Sequence, residues 1–263
     1  MADLTPLLDD LAAECADLDA LVSGLSDMQW YEDTPAAGWT IATQIAHLAW
    51  TDEVATVAAT DAARFQAELE AALPRIATFV DEAASEKAEQ APESLLAEWR
   101  SRRAALRDAL VAVPEGTKLP WFGPPMSAAS MATARMMETF GHGQDVRDTL
   151  GVPTVPSPRL RHIAHIGART RNFAYMVRNL PAPAEEFRIE LVGPDGDVWT
   201  WGPADAAQRV SGPALDFCLL VTQRRHRDDL ALVATGSDAN AWLDIAQAFA
   251  GPPGEGRKPL GVA

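Results

Sequence analysis

The chain has 263 residues, 48% of them hydrophobic and 22% charged, which is the composition of a soluble globular protein. Its formal net charge of −15 gives a surface that repels nucleic acid backbones and anionic lipid, so we expect no nucleic acid or membrane partner. No apolar run approaches the roughly 20 residues that span a bilayer, and the N-terminal segment lacks the basic and apolar regions of a signal peptide, which predicts a cytoplasmic location.

The first part of the chain is predicted to be helical, because its apolar residues recur at helical spacing. A first helix covers residues 4–25, and a second begins after the N-cap Thr40 and runs into a long alanine-rich continuation. A third opens at Pro92 and a fourth starts at Ser127. Four such helices joined by loops predict an all-α bundle in residues 1–158.

The periodicity changes in the second part of the chain. The proline-punctuated connector GVPTVPSP comes first, and residues 159–184 are predicted to form a connecting helix and linker. The segments FRIELVG and VWTWG alternate between apolar and polar residues on either side of the turn PDGD, which predicts a β-hairpin. A helix, a short strand and a last helix complete a small α+β domain over residues 185–251, followed by a flexible tail at residues 252–263. The predicted fold class is therefore mainly α, a four-helix bundle with a small C-terminal α+β domain.

Glu138 and His142 form the first candidate site, since residues four apart project from one face of a helix. Asp145 follows near the same face. A carboxylate and an imidazole at this spacing can bind one divalent cation, although a surface Glu–His pair has the same spacing. His142 stands between Gly141 and Gly143, and each glycine costs roughly 0.5–1 kcal/mol relative to alanine inside a helix. We interpret these glycines as clearing space around the imidazole for a ligand.

His47 lies in a predicted helix that is apolar nearly all round, with only two formal charges in residues 39–59. Such a helix is buried, and a buried histidine needs partners for its ring nitrogens. One interpretation is a hydrogen-bonded core histidine. Together with Glu138 and His142 on a neighbouring helix, a metal site of two histidines and one carboxylate is the better interpretation, because bundle cores commonly hold such sites. Three protein ligands leave a coordination position open, as in catalytic zinc sites.

The pattern of His47, then Glu138-x-x-x-His142-x-x-Asp145, resembles the metal-binding DinB-like four-helix bundles. Within that superfamily it resembles the mycothiol-dependent maleylpyruvate isomerase branch. The resemblance implies that His47, Glu138 and His142 are the metal ligands. From the residues alone, Asp145, Asp52 and Glu53 are candidates for a residue that supports a metal ligand or acts as a general base, and periodicity does not rank them.

The C-terminal stretch VSGPALDFCLLVTQRRHRDDLALVATG resembles the sterol-carrier-like α+β domain of the same branch, so the likeness covers nearly the whole chain. It implies a catalytic arginine at Arg224, with Arg225 one position away. Gln223 stands where a glycine is common in that family. From the residues alone, the basic run from Arg224 to Arg227 favours an anionic ligand, or else forms a solvated basic turn at a helix C-terminus.

The resemblance implies an enzyme that activates a low-molecular-weight thiol, mycothiol or a similar compound, as cosubstrate for S-transfer to a small electrophile or for its cis–trans isomerisation. A thiol is nucleophilic as the thiolate, and a divalent metal favours that form. The protein then needs no cysteine of its own, and we expect Cys15 and Cys218 to be buried, reduced thiols because neither lies in a CxxC motif. Two imidazoles and one carboxylate suit zinc best, while nickel and iron accept the same ligands.

The residues alone leave two other functions possible. The protein could be a metal-containing module that binds a small anion without catalysis, or a metal-assisted hydrolase with water in the open position. His162 and His165, three apart on the predicted fifth helix, could share a ligand or form a surface or interface pair. The loop with Trp121 either covers the metal site or closes the bundle end. Homodimerisation also stays open.

Overall fold

The computed structural model describes residues 4–75, 78–254 and 256–261. The chain divides into two compact units, Met1–Thr154 and Val155–Ala263. The division falls inside the proline-punctuated connector, and it places the segment 159–184 in the second unit.

The first unit is a helical bundle. Its principal helices are α1, α3, α6 and α7, of which α3 packs on α6 and α7, and α1 packs on α7. In the described part of this unit, three shorter α-helices lie in the connections between them. The helices of this unit are α1 (Thr5–Val22), α2 (Asp27–Trp30), α3 (Ile41–Thr60), α4 (Ala62–Ala72), α5 (Phe79–Ala88), α6 (Pro92–Ala112) and α7 (Ala128–Leu150).

The predicted helix ends are confirmed where a cap or a breaker fixes them. The Thr40 hydroxyl accepts a hydrogen bond from the backbone N–H of Thr43, and Ser127 caps α7 in the same way. Pro92 occupies the first position of α6, where its missing N–H costs nothing. Gly151 ends α7 in the left-handed conformation with φ 65°.

The alanine-rich continuation of the second predicted helix is not one helix. Asp61 leaves the helical region with φ −146° and ψ 80°, and its carboxylate caps the next helix by accepting from the N–H of Arg64. The chain therefore breaks into α3 and α4. Alanine favours helix on both sides, so its periodicity hides the break, and the aspartate is the residue that marks it.

Among the described residues, two apolar clusters contribute to the bundle core. One contains Ile45 and Val146, and the other contains Val54 and Met131. The start of α3 thus packs with the end of α7, and the end of α3 with the start of α7, so these two helices are antiparallel. This direction decides which of their polar residues meet.

The second unit confirms the α+β class. Its helices are α8 (Leu160–Arg169), α9 (Arg171–Met176), α10 (Ala214–Val221) and α11 (Ser237–Leu243), and its strands are β1 (Arg188–Val192), β2 (Val198–Trp201), β3 (Arg209–Pro213) and β4 (Val233–Thr235). Within the described residues the sheet has the order β2-β1-β3-β4.

The predicted hairpin is confirmed by the antiparallel pairing of β1 with β2, in which Ile189 faces Trp201. Strand β3 was not predicted. It pairs in parallel with β1, so hydrogen bonds to residues distant in the sequence stabilise it. Its last residues, Gly212 and Pro213, are typical of strand ends and loops, so the local sequence does not indicate a strand. The predicted fifth helix is also divided, at Thr170, and the last helix ends at Leu243 rather than near Gly251.

None of the described helices is long and apolar enough to cross a membrane. Both cysteines are buried, as predicted, and neither forms a disulfide among the described residues. The flexibility of the tail at 252–263 stays a prediction, and Glu255, Val262 and Ala263 lie outside the described residues.

Candidate metal centre

Helices α3 and α7 place three candidate ligands side by side. His47 is buried because nearly every residue of α3 around it is buried, and Glu138 and His142 lie one turn apart on α7. Glu138 Oε2 is 3.2 Å from Nε2 of His142 and 3.5 Å from Nε2 of His47. One potential ligand atom from each residue lies within 4.8 Å of the other two. The structure therefore brings together the three residues that the sequence singled out.

The donor set fits a divalent cation. It offers two imidazole nitrogens and one carboxylate oxygen, the combination found in catalytic zinc sites. The second nitrogen of His142, Nδ1, is engaged by the side-chain oxygen of Gln44, so Nε2 is the nitrogen that faces the group. Nδ1 of His47 is buried and has no hydrogen-bond partner among the described residues.

Two tryptophans pack on the imidazole rings. The Trp39 ring stacks on His142 with 5.6 Å between centroids and 17° between planes, and it also contacts His47 at 5.3 Å. Trp50 contacts His47 at 5.9 Å. Trp39 is itself tied to α5, because its indole N–H donates to Asp81 at 3.1 Å. These rings limit the rotation of both histidines.

Glu138 is held as a carboxylate. Burial by itself would raise its pKa, but the hydrogen bonds of His142 and His47 and the charge of Arg135 outweigh it, so the pKa of Glu138 lies well below its usual value. A deprotonated carboxylate is the form that binds a metal.

Arg135 is a buried cation one turn before Glu138, with 2% of its surface exposed. Its Nη2 lies 3.8 Å from Glu138 Oε2, and its Nε lies 3.8 Å from Oδ1 of Asp52 on α3. Burial raises the pKa of Asp52 to about 6, although Arg135 opposes the shift. Arg135 thus shares its charge between a candidate ligand and a buried aspartate of the facing helix.

Among the described residues, polar contacts between α3 and α7 form three successive rungs. Gln44 meets His142, His47 meets Glu138, and Asp52 meets Arg135. The order follows from the antiparallel packing, since ascending positions on α3 face descending positions on α7. We call this set the polar ladder.

Sequence reasoning missed Gln44 and Arg135. Both have a signal in the sequence: each is a polar residue three positions from a candidate ligand, on the same helix face. The signal is readable only once α3 and α7 are known to be neighbours and antiparallel.

Asp145 is completely buried on α7 but does not belong to the group of three. Its supporting role stays a prediction. Gly143 corrects an expectation, because a Cβ built there would face Leu18 of α1 at 3.7 Å. The missing side chain of Gly143 therefore points toward α1, at ordinary contact distance, and the idea that Gly143 opens room beside the imidazole is wrong.

Arg224 and Arg225 lie just after α10 in the second unit. Gln223 adopts φ 58°, and the N–H groups of Gln223 and Arg224 donate to the carbonyls of Leu220 and Leu219, which is a Schellman ending. Gln223 thus occupies a left-handed position, which glycine adopts most readily. The guanidinium of Arg224 donates to the Thr222 carbonyl, and that of Arg225 to the Arg224 carbonyl. Their catalytic role stays a prediction.

His165 accepts a hydrogen bond from the Trp201 indole at 3.1 Å, and burial together with Arg169 lowers its pKa. The pair of His162 and His165 is not part of any three-residue metal group within the described ranges.

Comparison with known proteins supports the fold and the family. The model of the mycothiol maleylpyruvate isomerase N-terminal domain matches residues 11–147, and a model described as wyosine base formation matches residues 183–235. Two uncharacterized proteins of Mycobacterium tuberculosis, strains CDC 1551 / Oshkosh and ATCC 25618 / H37Rv, are each 59% identical over 257 residues, which is 98% of this chain and 100% of the relative.

Two solved structures share the fold. The crystal structure of the mycothiol-dependent maleylpyruvate isomerase has a TM-score of 0.60 and 17% identity, and a histidine-to-alanine mutant of it has a TM-score of 0.59 and 16% identity. Each alignment covers 88% of this chain and 92% of the other. Because the family model matches residues 11–147, more than half of the chain, the chain belongs to the mycothiol maleylpyruvate isomerase family of the DinB-like superfamily.

Proposed function

We propose that the protein is a metal-dependent enzyme that uses a low-molecular-weight thiol of the mycothiol type to isomerise, or to modify by S-transfer, a small electrophile. The observation that carries the proposal is the group of His47, Glu138 and His142 in a chain of this family. Zinc suits the donor set best, and nickel and iron accept it.

The three side chains supply two neutral ligands and one negative charge, which leaves a coordination position for a cosubstrate. A divalent cation bound there would lower the pKa of a thiol in that position, so that the thiolate predominates near neutral pH. The protein's own part is to keep Glu138 ionised, through Arg135 and the two histidines, and to hold both imidazoles under Trp39.

In this proposal the reactive thiol comes from outside the chain, because neither cysteine is placed to supply it. Burial raises the pKa of Cys15 to about 12, so this thiol is not a nucleophile near neutral pH. Cys218 is fully buried, and its Sγ contacts the Leu160 carbonyl oxygen at 3.4 Å. A dissociable thiol cosubstrate agrees with both findings.

Arg224 and Arg225 are proposed to bind a carboxylate of the substrate through paired N–H donors. This assignment rests on the family resemblance of the C-terminal segment. The same reasoning proposes a small-molecule electrophile or anion as the partner, and a cytoplasmic location, where such thiols are kept reduced.

The test is calorimetric titration of the zinc-loaded protein with mycothiol, in two buffers of different ionisation enthalpy. We expect binding with net proton release, and no binding to His142→Ala. His165→Ala, which removes a histidine outside the candidate centre, is the matched control and should bind like the wild type.

Absence of mycothiol binding to a protein that holds one equivalent of zinc would contradict the thiol-dependent function. The metal-assisted hydrolase and the non-catalytic binder would then be the functions to test. If mycothiol binds, single-turnover assays with cis-configured and simple electrophiles separate isomerisation, which returns the free thiol, from S-transfer, which consumes it.

A further inference from the structure

A short chain of buried polar groups lies behind His142. Gln44 is completely buried and Thr34 is 8% exposed. Gln44 Nε2 donates to the Thr34 hydroxyl oxygen at 2.9 Å, and the Gln44 oxygen meets Nδ1 of His142. The Thr34 hydroxyl donates in turn to the Trp39 carbonyl at 2.7 Å. The polar ladder thus continues beyond its first rung into the loop before α3.

The direction of each hydrogen bond in this chain can be assigned. The Thr34 hydroxyl has one proton, and the Trp39 carbonyl can only accept it. When the hydroxyl proton is donated to the Trp39 carbonyl, the Thr34 oxygen is left to accept from the amide NH₂ of Gln44, and the Gln44 carbonyl oxygen then lies toward His142. An amide oxygen only accepts, so Nδ1 of His142 is the donor. Its Nε2 faces Glu138 at 3.2 Å; in the metal-free chain it donates to that carboxylate when the ring carries both protons, and a bound cation would take the place of the Nε2 proton.

We propose that Gln44, oriented by Thr34, is a positioning residue for the metal centre: it holds the His142 ring with Nδ1 as a hydrogen-bond donor and presents Nε2 to the group of His47 and Glu138. The inference rests on the metal-binding part of the proposed function and does not depend on the thiol. Outer hydrogen bonds of this kind fix ring orientation and raise the basicity of a ligating imidazole.

A packing role for Gln44 would give different results. Gln44→Met keeps the side-chain volume and removes the acceptor, whereas Gln44→Glu keeps an acceptor for Nδ1. If Gln44 only fills space, Met is the milder change because a buried carboxylate is costly. If Gln44 positions His142, Glu is the milder change, as in carboxylate–histidine–zinc arrangements.

The experiment measures the zinc affinity of the full chain by competition with a chelator. We expect Gln44→Met to bind zinc roughly 10–100-fold more weakly, and Gln44→Glu to bind it as tightly as the wild type or more tightly. Thr34→Val should weaken binding less than Gln44→Met, because the amide can then rotate. Wild-type affinity in Gln44→Met, or equal loss in Met and Glu variants, would overturn the proposal.

A second readout reports the hydrogen bond itself. The chain has five histidines, so the ring nitrogens of ¹⁵N-histidine-labelled, zinc-loaded protein can be assigned with His142→Ala as reference. We expect the Nδ1 proton of His142 to be protected from exchange in the wild type and to exchange rapidly in Thr34→Val, which keeps the proposal testable if Gln44→Met does not fold. Equal protection in both would overturn the role of Thr34. Neither readout involves mycothiol, so failure of thiol binding would leave this inference standing.

Discussion

Replacement of Gly143 by alanine separates two explanations of the glycine beside His142. The sequence suggests that this glycine leaves room for a ligand, whereas the structure directs its missing side chain toward α1. A Cβ at this position would lie 3.7 Å from Cδ2 and 3.8 Å from Cδ1 of Leu18. These are ordinary van der Waals distances, so the added methyl group fits without displacing its neighbour.

The expected effect on stability is favourable. Glycine inside a helix costs about 0.5–1 kcal/mol relative to alanine, mainly because the unfolded chain has more conformational freedom. Gly143 lies well inside α7 and its φ is not positive. The Gly143→Ala protein should therefore unfold with a free energy about 0.5–1 kcal/mol higher than the wild type, and its zinc affinity should be unchanged.

The measurement is urea denaturation of the metal-free protein, followed by zinc titration of the folded variant. Gly167→Ala is the matched control with the opposite sign, because its Cβ would lie 2.8 Å from Val221 Cγ2 and 3.1 Å from Phe217 Cε1. Such overpacking typically costs about 1–3 kcal/mol. Lower stability or weaker zinc binding in Gly143→Ala would refute the structural argument and restore the idea that the glycine keeps space at the metal centre.

Three further predictions concern the ladder and the start of α3. His47→Ala should lose the bound metal while keeping its helical circular dichroism; retention of one equivalent of zinc, measured by native mass spectrometry, would contradict the assignment of this ligand. The pKa of Asp52 is raised from 3.8 to about 6, so the native state binds a proton at this carboxyl more tightly than the unfolded state does. Protonated Asp52 therefore adds to the free energy of unfolding below pH about 4, and this contribution is lost as the pH rises through about 6. Two pKa units correspond to about 3 kcal/mol. In urea denaturation between pH 4 and pH 7, the free energy of unfolding of the wild type should therefore fall by up to about 3 kcal/mol more than that of Asp52→Asn. An equal dependence on pH in the two proteins would refute the shift. Thr40→Ala removes the hydroxyl that accepts from the N–H of Thr43 at 3.3 Å and should cost about 1 kcal/mol by the same method, whereas an unchanged midpoint would show that the cap is dispensable.

Local signals in the sequence predicted the elements that local chemistry determines. Thr40, Pro92 and Ser127 start helices because a cap or a fixed φ acts within one turn, and each start is confirmed. Strand β3 could not be predicted in this way, since its pairing with β1 is set by contacts some twenty residues away in the chain, as between Arg188 and Arg209. The same holds for the break at Asp61, where one capping carboxylate overrides a strong helical composition.

The candidate ligands were predictable for a different reason. Glu138 and His142 reveal their common face through spacing on one helix, and His47 reveals its burial through the apolar residues around it. The spacing of residues along one helix does not show which residues of another helix they contact. Gln44 and Arg135 become meaningful only when α3 and α7 run antiparallel, which aligns each with a partner on the opposite helix.

The ladder also explains how the bundle can bury a candidate metal site before a metal arrives. A lone carboxylate at Glu138 would be costly to bury, and the two histidines and Arg135 offset that cost in the metal-free chain. Arg135 lies 3.8 Å from both Glu138 and Asp52, too far for strong hydrogen bonds, so its attraction to Glu138 is electrostatic and leaves the carboxylate oxygen available. An arginine bonded directly to that oxygen would compete with the metal for it. The distance therefore suits a site that must stay ionised while empty and still bind a cation.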